Sequence, residues 1–140
     1  MEHNLALDIH QTPAVPAHET ATAEQAIYEA VHFLRASWAM SGSALAKLLH
    51  LPINTVNHWL ARKRIPLGQP PFDARMEALL NLLAVHRSLH AMFSEPANQI
   101  AWLETKHPAL GAAPLEKMAE SAGGLLFVRQ YLDYIRGRGA

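Results

Sequence analysis

His86 and His90 stand four residues apart, the spacing at which one face of a helix can present two imidazoles to a metal ion. Two ligands do not close a site, and no carboxylate stands where it would complete a catalytic zinc motif. The pair therefore reads as surface or semi-buried histidines, and no metal is expected. There is no cysteine, which removes disulfides and thiolate ligands. The remaining acidic and histidine side chains scatter over outward faces of predicted helices. No glycine-rich phosphate loop and no nucleophile beside a positioned base is present. On these grounds the chain is not expected to be an enzyme or to bind a cofactor.

A second set of residues suits a different chemistry. Asn54, Thr55, Asn57, His58, Arg62, Lys63 and Arg64 lie within one short stretch. An asparagine amide matches the donor–acceptor pair on an adenine edge, a threonine hydroxyl can bond a phosphate, and arginine and lysine neutralise phosphates. The charge distribution points the same way. The chain balances 12 basic against 12 acidic residues, yet residues 1–34 contain only acidic ones (Glu2, Asp8, Glu19, Glu24, Glu29). Residues 35–72 contain only basic ones: Arg35, Lys47, Arg62, Lys63 and Arg64. A basic island in a neutral chain suits an anionic partner, or forms a solvated helical face. With no net charge behind it, DNA affinity would be modest and salt-sensitive.

These side chains need a helix to hold them. In the run Leu45-Ala46-Lys47-Leu48-Leu49-His50-Leu51-Pro52-Ile53-Asn54-Thr55-Val56-Asn57-His58-Trp59-Leu60, the apolar positions define two helices joined by a tight turn. Ser43 is placed to cap the first, Leu51 plugs the turn, and Pro52 opens the second. Val56, Trp59 and Leu60 then face inward and the polar set faces outward, as in a helix-turn-helix. The order of residue types resembles the Xre/Cro-like helix-turn-helix. His50 departs from it by replacing the turn glycine, at some cost in a left-handed position. Pro52 replaces a serine that would cap the helix.

Other elements frame this unit. Thr22 and Gln25 have capping-box spacing, which predicts a helix from Thr22 to about Met40 with Ile27, Ala30, Val31, Leu34 and Trp38 inward. Residues 65–71 form a proline-rich connector that cannot be helical throughout. Asp73 then caps a long helix whose apolar surface is too wide for one stripe. That helix is buried on two sides, with packing against a second copy as a companion possibility. Periodicity is helical throughout and half the residues are hydrophobic, so an all-α protein with a packed interior is expected. No apolar run reaches the roughly 18 residues that cross a bilayer, and no signal-peptide pattern is present. A cytoplasmic location and no membrane partner are the expectation.

The final third reads Trp102-Leu103, His107-Pro108, Leu110-Gly111 and Pro114-Leu115. Gly123-Gly124 follows, and then Val128, Leu132 and Ile135 at helical spacing. His107 precedes a proline, so a helix should end near Thr105. Gly111 suits positive φ, Pro114 opens a short helix and Gly123-Gly124 stops it. A last helix should run from Leu125 to Arg136. This pattern resembles the toxin-binding domain of Xre/MbcA/ParS-type antitoxins, with Ala112 and Ala113 standing where glycine and threonine or serine are usual.

The resemblance implies an Xre-like helix-turn-helix bundle joined by a long helix to a small C-terminal toxin-binding domain. The boundaries would be a flexible tail at 1–20, the helix-turn-helix unit with the connecting helix at 21–93, and the toxin-binding unit at 94–140. It further implies a type II antitoxin whose partner is a RES-domain, NAD-using toxin. The C-terminal domain and tail would cover the toxin's active site, through Phe127, Tyr131, Tyr134, Arg136, Arg138, Gly139 and Ala140. Repression of its own operon through the helix-turn-helix, and a homodimer within the larger complex, follow from the same resemblance. The alternative is a stand-alone helix-turn-helix regulator with a dimerising or ligand-sensing C-terminal half.

Overall fold

A computed structural model of the chain describes residues 17–68 and 73–138. These form seven helices and no strand: α1 (Ala17–Trp38), α2 (Gly42–Leu49), α3 (Ile53–Arg62), α4 (Ala74–Met92), α5 (Pro96–Glu104), α6 (Pro114–Glu120) and α7 (Ala122–Arg138). The all-α architecture agrees with the sequence. Most of the tail expected at 1–20 lies outside the described residues, as do residues 69–72 and 139–140.

The start of α1 corrects the sequence reading. The helix spans Ala17–Trp38, so Thr22 lies inside it and not at its start. Ala17, Glu19 and Ala21 ahead of Thr22 have high intrinsic helix propensity, and Glu19 in the first turn complements the helix dipole. At the other end Ala39 turns left-handed at φ 51°. The Arg35 Nε donates to the Met40 carbonyl there at 3.1 Å.

α2 begins two residues earlier than expected. The capping residue is Ser41, whose Oγ accepts from the Ala44 N–H at 3.1 Å, and not Ser43, which is exposed. The cap residue must keep an extended backbone while the helix begins after it, and Ser41 has φ −72° and ψ 163°. Leu45, Ala46, Leu48 and Leu49 are buried. His50 adopts the left-handed conformation (φ 58°) that the motif's usual glycine would take, and Pro52 starts α3 as expected. Val56 and Trp59 are buried and Leu60 and Leu51 partly so.

The long helix α4, capped by the Asp73 side chain on the Met76 N–H, buries Met76, Leu79, Leu82, Val85 and Leu89 completely or nearly so. It packs against α1, α2, α5 and α7. Burial on more than one side by its own chain therefore accounts for the wide apolar surface. α4 and α7 run parallel. Arg129 Nη1 donates to Asn81 Oδ1 at 3.1 Å and Arg136 Nη1 to Ser88 Oγ at 2.9 Å, each pair separated by the same 48 positions. Parallel neighbours need a return path, and α5, the turn after it and α6 provide one.

That turn is built on His107. Its Nε2 donates to the Trp102 carbonyl at 3.0 Å, its N–H bonds the Ala112 carbonyl, and its own carbonyl accepts from Leu110 and Gly111. Gly111 has φ 72°, as the turn predicted. Leu110 is buried beneath it.

The glycine pair is placed differently from the expectation. α6 ends at Glu120 because Ser121 is extended, and the Ser121 Oγ accepts from the Gly124 N–H at 2.9 Å, capping α7. Gly123 and Gly124 thus sit in the first turn of α7 and stop nothing. Gly124 meets a packing demand instead: a β-carbon there would overlap the Lys117 carbonyl oxygen and lie 3.1 Å from the carbonyl carbon. Only glycine lets α7 leave so close to the α6 backbone.

One apolar cluster runs through the whole described chain, from Val31 and Leu34 through Leu45, Leu49 and Val56 to Leu103, Met118, Leu125 and Leu132. Polar ties cross between its parts. Gln99 on α5 is fully buried. It accepts from Trp38 Nε1 at 3.0 Å and donates to the Phe93 carbonyl at 2.9 Å and to His90 Nδ1 at 3.4 Å. A buried amide is costly unless its groups are bonded, and these bonds fix α1 to α5.

Candidate interaction surfaces

α3 presents the first surface. Asn54, Asn57 and His58 are exposed along its outer face, with Arg62 one turn beyond and Thr55 partly covered at its edge. Ile53, 41 % exposed, opens the same face. α3 ends at Lys63, which takes a left-handed conformation (φ 56°) and donates its N–H to the Trp59 carbonyl. That reversal turns the next residue back toward α1. Arg64 consequently forms an ion pair with Glu24 (Nη2 to Oε1, 3.5 Å) and is half-exposed. The seven residues singled out in the sequence thus lie on α3 and the turn that closes it, with Arg64 drawn aside to Glu24 of α1.

His50, at the turn of this unit, reaches the C-terminal half. Its Nε2 lies 3.0 Å from the Met118 carbonyl, and since a carbonyl only accepts, the ring donates. Met118 belongs to the last turn of α6, whose carbonyls lack partners within the helix. A residue that departs from the usual turn glycine therefore fastens the helix-turn-helix to α6. The sequence marks the departure but not its partner, which lies 68 positions away.

α7 presents the second surface. Leu125, Val128 and Leu132 are fully buried and Ile135 partly so, as the stripe predicted. Phe127 is 44 % exposed and Tyr134 59 %. They lie two turns apart on one outward face. Leu126, 38 % exposed, extends this apolar surface and escaped the sequence reading, although its position off the buried stripe marks it. Lys117 of α6 places its Nζ 5.4 Å from the Phe127 ring centre, a cation–π approach. Tyr131 differs from its two aromatic companions: it is partly buried and packs on the core. Arg136 is exposed at residue level yet bonded to Ser88, so its cation is held against α4. The Arg138 side chain, Gly139 and Ala140 lie outside the description.

The histidine pair resolves into two environments. His90 is exposed, but His86 is only 5 % exposed, contrary to the surface or semi-buried reading. Phe33 and Trp38 lie edge-on to its ring at 5.0 and 5.2 Å, which covers it on the α1 side. Its Nε2 has no hydrogen-bond partner. Burial first, and the neighbouring His90 second, push its pKa down from 6.5 to about 4. Among the described residues no group of three or more histidine, aspartate or glutamate side chains could hold a metal ion, and no helix is long and apolar enough to cross a membrane.

Residues 88–138 match the family described as the antitoxin Xre/MbcA/ParS C-terminal toxin-binding domain. The matched segment starts at Ser88, the partner of Arg136, and contains α5, the His107 turn, α6 and the described part of α7. No curated protein matches the chain.

Proposed function

Since the chain carries the C-terminal toxin-binding domain of the Xre/MbcA/ParS antitoxins, we propose that it neutralises a RES-domain, NAD-using toxin by covering that enzyme's active site. The observation that carries this reading is the exposed row of Leu126, Phe127 and Tyr134 within the matched segment. Large apolar and aromatic side chains left open on a rigid helix are what an interface core uses. α7 is held against α4 at two points along one face by Arg129–Asn81 and Arg136–Ser88, so little ordering cost remains when a partner docks. Arg136 lies on the opposite side of α7, tied to Ser88, and reaches an acidic group of the toxin only where the partner wraps past that edge.

The α3 face gives the complex a second activity in this reading: binding of its own operator and repression of the operon. Asn54 and Asn57 are assigned to base edges and Thr55, Arg62 and Lys63 to phosphates. A homodimer would match the two halves of a palindromic operator.

The test is growth of cells that express the adjacent open reading frame from an inducible promoter, with and without this chain. Arrest by the neighbour and rescue by this chain is the expected result. Phe127→Ala with Tyr134→Ala should abolish rescue, and a thermal melt of the variant, expected to fall only slightly with loss of the Lys117–Phe127 contact, separates lost binding from lost fold. Removing residues 138–140 should weaken rescue without breaking the Arg136–Ser88 bond; full rescue by that truncation would overturn the tail's role and leave the α7 face in place. A harmless neighbour would favour the stand-alone regulator.

A further inference from the structure

Glu24 of α1 is set against the basic end of α3. Its side chain is 19 % exposed. Oε1 faces Arg64 Nη2 at 3.5 Å, and Oε2 accepts from the Leu67 N–H at 3.3 Å. The Glu24 backbone carbonyl accepts from Ile65 as well, at 3.3 Å, so the strand of chain after α3 is strapped to α1 at this point. Glu24, His58, Trp59, Arg62, Arg64 and Pro66 wall an open cleft of about 180 Å³. A second depression shares His58, Trp59 and Pro66 with it and continues to Asn54 and Thr55, on the face assigned to base reading.

A carboxylate held between a guanidinium and a backbone N–H occupies a place built for an oxyanion. Around it stand two arginines, Arg62 and Arg64, against one carboxylate. We propose that this cleft seats one backbone phosphate of duplex DNA, with Arg64 and the Leu67 N–H as its donors, and that Glu24 is an internal competitor for the same donors. The inference rests on the DNA-binding reading above. It adds a defined phosphate position at the C-terminal end of α3 and a built-in limit on affinity: the phosphate gains Arg64 only by displacing the glutamate, and is repelled by it meanwhile. Trp59 and Pro66 form the apolar wall between this phosphate position and the bases read by Asn54, so the seat would also set the register of α3 in the groove.

Glu24→Gln tests the proposal. The amide oxygen can still accept from Leu67 N–H, so the strap is kept while the competing charge is removed. Full-length wild type, E24Q, R64Q and the double variant would be titrated with a mixed-sequence 24-base-pair duplex across a salt series. E24Q should bind roughly fivefold more tightly near 0.1 M salt, the ceiling for one partly exposed ion pair. Its plot of log K against log salt should steepen, because a seat only partly filled while Glu24 competes becomes one full phosphate contact, about 0.9 steeper than the double variant. Adding R64Q should cancel both gains. A slope in E24Q equal to or shallower than wild type overturns the seat. Should E24Q fail to fold, R64Q alone carries the test, since it leaves the Glu24–Leu67 bond in place: a slope shallower by less than about 0.9 is expected, the share of the seat filled in wild type, and an unchanged slope overturns the seat. Duplex binding that ignores both substitutions removes the seat and leaves the DNA reading standing, whereas no duplex binding by any variant removes both. In a second arm, inorganic phosphate at constant ionic strength is followed through the Arg64 and Leu67 amide resonances. A response to phosphate without any to duplex would reassign the cleft to a small anion and overturn the DNA seat.

Discussion

Gly124 and its neighbour Gly123 make a paired test of how α6 and α7 meet. A β-carbon on Gly124 would overlap the Lys117 carbonyl oxygen, sit 3.1 Å from its carbonyl carbon and 3.5 Å from Ser121 Oγ. The first two atoms are backbone and can move only if α6 itself moves. Overpacking of this kind costs about 1–3 kcal/mol and sometimes more. Alanine recovers up to about 1 kcal/mol through helix propensity. The balance for Gly124→Ala is a loss of roughly 2 kcal/mol, because a clash with backbone lies at the upper end of that range. For a chain of this size that is a fall of roughly 5–10 °C in the midpoint of thermal unfolding. Gly123→Ala reverses the sign. Its β-carbon would meet only Ser121 Oγ, at 3.7 Å, an ordinary contact. It should be neutral or stabilising by up to about 1 kcal/mol. Circular dichroism melts of both variants and wild type, under identical conditions, decide the matter. If G124A melts at or above wild type, the close approach of α7 to the α6 backbone is not as described. G124A should also weaken toxin neutralisation even below its melting point, because a shifted α6 carries Lys117 away from Phe127.

Three further outcomes follow from individual side chains. His86 titrates at about 4 when folded against 6.5 in a free chain, so the unfolded state binds more protons between those values. Stability should be full above pH 6.5 and fall by at most roughly 3 kcal/mol as the pH drops to 4, and His86→Leu, which removes an unbonded buried nitrogen, should flatten that part of a urea-denaturation pH profile. Ser41→Ala should cost about 1 kcal/mol through the lost cap and Ser43→Ala almost nothing; equal effects in chemical denaturation would contradict the assignment of the cap. Gln99→Leu leaves the Trp38 N–H and the Phe93 carbonyl without their partner and should destabilise by roughly 2–4 kcal/mol, with tryptophan fluorescence reporting the changed environment of Trp38.

How much of this protein was legible beforehand depends on how local the cause is. Helical periodicity, the proline and glycine punctuation around His107–Gly111 and Pro114, the Asp73 cap and the left-handed position of His50 are each decided within a few residues. They could be read from the order of residue types. So could the buried stripe of α7 and the outward polar face of α3, because a regular helix converts spacing into direction. The competing signals were also local but ambiguous. Thr22 with Gln25 has the spacing of a cap, yet strong helix formers on its N-terminal side carry the helix through it. Ser41 and Ser43 both have the chemistry of a cap, and only the path of the backbone chooses Ser41. Gly123-Gly124 has the composition of a helix stop, while its position follows from how near α7 passes to Lys117.

The remaining features are set by partners far apart in the chain, and no local rule reaches them. Whether α4 is covered by its own chain, where His50 finds an acceptor, which histidine of the pair is buried, and whether Arg64 meets solvent or Glu24 all depend on which helices come to lie together. The same holds for the sites. The residue types suited to DNA and to a protein partner were visible as types, since chemistry belongs to the side chain. Their availability was decided by packing, which left Phe127 and Tyr134 open, drew Tyr131 inward, and tied Arg136 to Ser88.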